Sequence, residues 1–166
     1  MGDNMGKTIV ICYSFEGNTL KIASAIAKAL QIDLYEIKPI NDLKSKGFSK
    51  YVWGGKQVVL NQKPELQPIS IDLSLYDQVF LGSPIWVGTF APAIKTLLEN
   101  GLIKNKNIAY FYTHEGGAKN AEKRGKEAIE KYNHFVSSLG LMNVMKDELA
   151  CVYQAVEWAK HAFKNR

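Results

Sequence analysis

The chain has 166 residues, of which 46% are hydrophobic and 22% are charged, and its formal net charge is +5. A chain of this length can bury a core of its own, so we expect one domain. The composition excludes a collagen, a disulfide scaffold and an intrinsically disordered protein. The positive charge favours an anionic ligand or an acidic partner. No DNA-binding or RNA-binding motif accompanies the lysines, so we expect no nucleic acid partner.

The two cysteines, Cys12 and Cys151, lie at opposite ends of the chain and lack the spacing of metal ligands. We expect both to be reduced, buried side chains of a cytoplasmic protein, and we predict no metal site. The apolar runs are too short to span a membrane, so we expect no membrane partner. Met1–Gly6 precede the first predicted element, and we expect them to be either disordered or an expression remnant.

Strand-like and helix-like segments alternate along the chain. Continuous apolar runs rich in β-branched residues predict buried strands, whereas apolar residues three and four positions apart predict helices. The predicted strands are Lys7–Tyr13, Asp33–Ile37, Gln78–Gly82 and Asn107–Thr113, with a last and less regular strand within Gly140–Ala150. The predicted helices are Thr19–Leu30, a helix that begins at Pro92 and stops at Asn100, a long helix over Ala118–Leu139, and a closing helix over Val152–Phe163.

This alternation predicts an α/β fold in which a doubly wound, parallel sheet of about five strands has helices on both faces. The whole chain, residues 1–166, then forms a single domain. Ligands of such sheets bind beyond the carboxyl ends of the strands. We therefore expect the functional residues in the loops that follow Tyr13, Gly82 and Tyr112.

Residues 41–74 depart from the alternation, because lysines and aromatic residues are interspersed there with a Gly-Gly pair and two prolines. We interpret this segment as a helix fragment and a long loop, which we place at 46–66. Loops of this length in compact domains are usually functional or mobile.

The segment between the first strand and the first helix suits a phosphate group. Backbone N–H groups and the helix dipole converge at such a turn, and Gly17 permits an unusual backbone dihedral. The lysine of a Walker loop is missing, and Asn18 stands where a cysteine phosphatase would have an arginine after Cys12. An ordinary capped turn is the alternative that these residues leave open. The candidate residues are Ser14, Phe15, Glu16, Gly17, Asn18 and Thr19.

Three segments resemble the ligand loops of one known family, in the same order and at similar spacing. Residues 13–19 (YSFEGNT) resemble the phosphate-binding loop of the flavodoxin family. Residues 82–92 (GSPIWVGTFAP) resemble its first flavin loop, and residues 113–117 (THEGG) resemble its second. The resemblance covers nearly the whole chain.

The resemblance implies a flavodoxin-like three-layer sandwich with strand order 2-1-3-4-5 and non-covalently bound FMN. It implies that the FMN phosphate lies on Ser14–Thr19 and that the isoalloxazine ring lies between the other two loops. The residues that it assigns to the ring are Ser83, Pro84, Ile85, Trp86, Val87, Gly88, Thr113, His114, Glu115, Gly116 and Gly117.

A flavin ring needs an apolar wall and backbone hydrogen bonds. Trp86 can stack on one face of the ring, although a core or interface tryptophan is the alternative interpretation. The third loop has no tyrosine for the outer face, which we expect to be open or covered by His114, Phe90 or the segment through Trp53. His114 is interpreted either as a proton donor or as an exposed loop residue. We assign no catalytic residue to the protein itself.

These features favour an electron-transfer protein in which FMN supplies the chemistry and redox partner proteins supply and accept the electrons. The alternative is an FMN-dependent reductase of the same fold that transfers electrons from NAD(P)H to a quinone or another small acceptor. A flavin-free signalling module is disfavoured, because Cys12, Tyr13 and Ser83 stand where a phospho-receiver needs acidic residues.

Overall fold

The structure is a computed structural model that describes residues 6–42 and 55–164. Its parallel sheet consists of β1 (Thr8–Cys12), β2 (Asp33–Glu36), β3 (Gln78–Trp86), β5 (Asn107–His114) and β6 (His134–Met142). The two-residue strand β4 (Thr89–Phe90) pairs antiparallel with the end of β3. The parallel strands lie in the order β2-β1-β3-β5-β6. With β4 set aside, this is the predicted order 2-1-3-4-5.

Four helices in the described part of the chain pack on the sheet, two on each face. They are α1 (Asn18–Leu30), α2 (Pro92–Glu99), α3 (Ala121–Glu130) and α4 (Glu148–Ala162). Apolar residues of α1 and α4 join one core, and those of α2 and α3 join the other. The predicted doubly wound sandwich with helices on both faces is therefore confirmed. None of the helices in residues 6–42 and 55–164 has the length and apolar character needed to cross a membrane.

The side chains of β1 show why the sheet has two cores. Successive residues of a strand point to opposite faces, and Ile9 and Ile11 join the α2–α3 core while Val10 and Cys12 join the α1–α4 core. Cys12 and Cys151 are both free and buried, as predicted. Burial raises the pKa of the Cys12 thiol to about 12, so this side chain packs as a small apolar group.

The long helix predicted over Ala118–Leu139 is wrong in its second half. Helix α3 ends at Glu130 and β6 begins at His134. The side chain of Asn133 accepts a hydrogen bond from the Lys106 N–H and donates one to the Ile103 carbonyl. These bonds attach the turn between α3 and β6 to the segment that precedes β5.

The last strand predicted within Gly140–Ala150 is placed too far along the chain, because β6 begins at His134 and already ends at Met142. A bulge near the start of β6 explains both errors. Phe135 pairs with Ile108 and Ser137 with Ala109, so Val136 is the extra residue between them. This insertion breaks the alternation of a strand and gives the apolar residues a spacing that imitates a helix.

Strand β3 continues to Trp86 and therefore includes part of what we predicted as a loop. The long segment predicted at 46–66 lies partly outside the described residues, and within the described part residues 55–59 are helical. Further on, Leu66 forms an isolated bridge with Pro39.

Candidate functional site

An open cleft of about 630 Å³ lies where β1, β3 and β5 reach their carboxyl ends. The three predicted loops converge on it. All of the predicted site residues line this cleft except Gly17 and Ser83. The sheet order explains the convergence, because β1, β3 and β5 are neighbours and run in the same direction.

The first loop directs the start of α1 at the cleft. Gly17 precedes the helix with a φ of 93°, in the left-handed region that favours glycine. Its N–H donates to Ser14 Oγ at 3.1 Å, and its carbonyl accepts from the Lys21 N–H at 2.9 Å. The first turn of α1 contains no acidic residue. The positive end of the helix dipole is therefore available to an anion in the cleft.

A buried hydroxyl pair joins the first loop to the third. Thr19 Oγ1 and Thr113 Oγ1 lie 2.8 Å apart, and the two residues are 1% and 5% exposed. One hydroxyl donates to the other, so the proton of the accepting hydroxyl remains for a further acceptor. Both residues also line the cleft.

Ser83 supports the second loop from behind the cleft. Its Oγ accepts a hydrogen bond from the Ala91 N–H at 2.9 Å and donates to the Pro84 carbonyl at 2.8 Å. The residue is completely buried. Its hydroxyl therefore stabilises the hairpin between β3 and β4.

Val87 and Gly88 form the two-residue turn of that hairpin, between the paired residues Trp86 and Thr89. Their φ values are 50° and 71°, the pattern of a tight turn between antiparallel strands. A β-branched residue is rare in this region, and the left-handed conformation costs roughly 1–2 kcal/mol for a residue with a Cβ. The turn at the rim of the cleft is thus under backbone strain.

Trp86 forms an aromatic wall of the cleft, and two other aromatic rings pack against it. The ring of Tyr13 lies 5.8 Å from it and that of Phe15 lies 5.9 Å from it, both nearly perpendicular. Such edge-to-face contacts are favourable for aromatic pairs. Tyr13 donates in turn to Asp42 Oδ1 at 2.8 Å, and burial raises the pKa of the Tyr13 hydroxyl.

The third loop is closed by its histidine. The Gly116 N–H donates to His114 Nδ1 at 3.2 Å, and burial lowers the pKa of His114. The imidazole is therefore neutral near pH 7, with its proton on Nε2. Both Gly116 and Gly117 line the cleft, and a Cβ added to either would meet no other described atom within 4 Å.

A fourth segment lines the cleft and was missed in the sequence. Its residues are Asn143, Val144, Met145 and Lys146, which follow β6. The Asn143 N–H donates to the His114 carbonyl at 2.8 Å and so attaches this segment to the third loop. The predicted last strand, within Gly140–Ala150, covers these residues, whereas β6 ends at Met142 and leaves them in the loop beyond its carboxyl end.

Of the three predicted covers for the outer face, one lies elsewhere, one falls outside the described residues and one lines the cleft. Phe90 lines a second cleft on the other flank of the hairpin and does not line the first one. Trp53 lies outside the described residues. His114, by contrast, does line the first cleft.

The doubly wound sheet with a cleft at its carboxyl edge defines the class of flavodoxin-like α/β proteins. A family model described as flavodoxin matches residues 7–156, and the chain belongs to the flavodoxin family. A comparison with curated proteins finds no match.

Solved structures show the same fold. A flavoprotein of Lactobacillus acidophilus, crystallised in complex with FMN, is 26% identical with a TM-score of 0.70, and the match covers 87% of this chain and 99% of that one. A candidate flavoprotein of Bacteroides eggerthii is 22% identical with a TM-score of 0.77, over 94% and 97% of the two chains. The two-electron reduced flavodoxin of Megasphaera elsdenii is 14% identical with a TM-score of 0.54, over 92% and 98%.

Proposed function

We propose that this chain binds FMN non-covalently in the cleft and transfers electrons between redox partner proteins. The observation that carries the proposal is the convergence of a helix N-terminus, an aromatic wall and two glycine-containing turns on one cleft of about 630 Å³. A flavin mononucleotide presents an anionic phosphate, a flat apolar ring and a polar edge. The helix N-terminus suits the phosphate, the aromatic wall suits the ring, and the backbone groups of the two turns suit the polar edge. When bound, FMN supplies the redox chemistry.

The phosphate is assigned to the start of α1. Ser14, Asn18 and Thr19 provide hydroxyl and amide donors there, and the helix dipole favours the negative charge. Gly17 does not line the cleft and shapes this turn instead, because its φ of 93° lies in the region that favours glycine.

The isoalloxazine ring is assigned to the space between the hairpin and the third loop. Trp86 provides an apolar surface, while Val87, Gly88 and Gly117 bring backbone groups to the rim. The ideal Cβ position of Gly88 lies 3.5 Å from the Gly117 carbonyl oxygen, so the two turns approach closely. This arrangement fits a planar ligand held along one edge.

An experiment with two arms tests electron transfer against enzymatic reduction. The FMN-loaded protein is first reduced with dithionite and mixed with the one-electron acceptor ferricyanide, and separately incubated with NADPH and a quinone. A carrier transfers its electrons to ferricyanide and consumes NADPH no faster than free FMN does. Steady NADPH consumption above that background would contradict the carrier proposal.

That second outcome would support a reductase, the other candidate function. The third loop places His114 and Glu115 at the cleft, with no tyrosine between residues 113 and 117. A flavin with an uncovered face leaves room for a small acceptor or a nicotinamide. The NADPH arm decides between the two functions for the same FMN-loaded protein.

A further inference from the structure

A second cleft, of about 290 Å³, has no part in the proposed function. It lies between the helical residues 55–59, the β3–β4 hairpin, and helices α2 and α3. The hairpin borders both clefts: Val87 and Gly88 line the first, whereas Thr89 and Phe90 line the second.

Three cations line this second cleft, and none of them forms an ion pair with a carboxylate among the described residues. Lys95 donates to the amide oxygen of Asn61, and Arg124 Nη1 lies 3.4 Å from the carbonyl oxygens of both turn residues of the hairpin. Lys131 is the third. Within residues 6–42 and 55–164, no carboxylate lies within ion-pair distance of any of the three.

The two carboxylates that line the cleft are each paired with a lysine from outside it. Glu99 bonds to Lys63, and this bond, reinforced by the charges of Lys95 and Lys131, holds the pKa of Glu99 below its usual value. Glu127 lies 4.0 Å from Lys123 one helical turn away. The pairing leaves the positive charge of the cleft in excess.

The remaining walls can hold a planar, hydrogen-bonding group. The ring of Phe90 and the side chain of Val58 provide apolar surface, and three amides provide donors and acceptors. These amides belong to Gln57, Asn61 and Gln62. Ligand cavities usually begin at about 300 Å³, so a cleft of this size takes a molecule no larger than a mononucleotide.

We propose that the second cleft binds a nucleotide, with its phosphate on Lys95, Arg124 and Lys131 and its base beside Phe90. The guanidinium of Arg124 has five N–H donors, and its contacts to the hairpin carbonyls are long and use uncharged acceptors. A phosphate offers shorter bonds to the same donors, in which the acceptor is charged as well. The nucleotide is either a free mononucleotide or one half of a nicotinamide dinucleotide, since both present this chemistry.

Calorimetric titration of the FMN-saturated protein with AMP tests the proposal, because saturation blocks the first cleft. We expect saturable binding that Arg124→Ala weakens about tenfold to hundredfold, the range for loss of a bond to a charged group. Lys131→Ala should weaken it as well. The matched control is Lys126→Ala, which removes a positive charge from the same helix at a site outside the cleft and should change the affinity less than about twofold. Arg124, Lys126 and Lys131 are all exposed, so none of these variants should unfold.

Three results would overturn the proposal: no saturable binding of AMP, equal losses in the Arg124 and Lys126 variants, or AMP binding as tight as that of inorganic phosphate alone. Titration with NADP⁺ distinguishes the two sources of the nucleotide. Tighter Arg124-dependent binding of NADP⁺ than of AMP supports a dinucleotide, and the reverse supports a free mononucleotide. Repeating the AMP titration without FMN on both the parent and Arg124→Ala separates this proposal from the function of the first cleft, because only binding in the second cleft should weaken in that variant.

Discussion

The hydroxyl pair between Thr19 and Thr113 gives a prediction whose magnitude follows from the structure. The two oxygens are 2.8 Å apart and both residues are at least 95% buried, at 1% and 5% exposure. Replacing one threonine with valine keeps the shape of the side chain but leaves the other hydroxyl buried without this partner, which costs about 1–3 kcal/mol. Replacing both removes the unpaired group, so the double variant should lose clearly less stability than the two single variants added together.

Urea unfolding of the four proteins without FMN, followed by circular dichroism, measures these free energies. The control is the pair Thr19→Val and Thr96→Val, because Thr96 donates to the Pro64 carbonyl at 2.9 Å and shares no partner with Thr19. The stability loss of the Thr19→Val, Thr96→Val double variant should equal the sum of the two single losses within about 0.5 kcal/mol. If the Thr19 and Thr113 losses add equally well, the two loops are not coupled through this bond.

Three further outcomes are expected. Asn18→Ala should weaken FMN binding more than riboflavin binding in fluorescence titrations, because only FMN has a phosphate to place at α1; equal losses would disprove the loop assignment. Gly82→Ala should destabilise the protein by about 1–3 kcal/mol in urea unfolding, since its Cβ would lie 2.3 Å from the Phe111 ring, and an unchanged midpoint would refute this packing. Because the pKa of His114 is lowered in the folded protein, its contribution to stability is fully present above the unfolded pKa of about 6.5 and is lost as the pH falls from there through the folded pKa. Between pH 8 and pH 5, the free energy of unfolding of His114→Asn should therefore fall less than that of the parent. Identical pH dependence in the two proteins would contradict the prediction.

The parts of the fold that could be predicted are those in which the local pattern and the tertiary role agree. β1 is a continuous apolar run because both of its faces are buried, and α1 buries Ile22, Ala23 and Ile26 at helical spacing. The positions of the three ligand loops can also be predicted, because each loop begins where a predicted strand ends. Sequence patterns therefore locate most of the first cleft.

The parts that could not be predicted depend on contacts between distant residues. The bulge at Val136 hides the period of β6, and with it the lining segment Asn143–Lys146. The role of Ser83 in holding the hairpin depends on its bond to Ala91, eight residues further on. The second cleft combines side chains from residues 57–62, 89–99 and 124–131, and nothing local in any one of these segments indicates a site.

The most direct test of the central claim is the addition of FMN to the protein without flavin, followed by dithionite titration of the complex. Flavin fluorescence and visible absorbance report the two steps. The proposed carrier predicts quenching that saturates at one FMN per chain, with Trp86 at the ring, and then a one-electron-reduced flavin that accumulates before full reduction. Absence of FMN binding would contradict the assignment of the cleft, and direct two-electron bleaching would contradict the one-electron carrier.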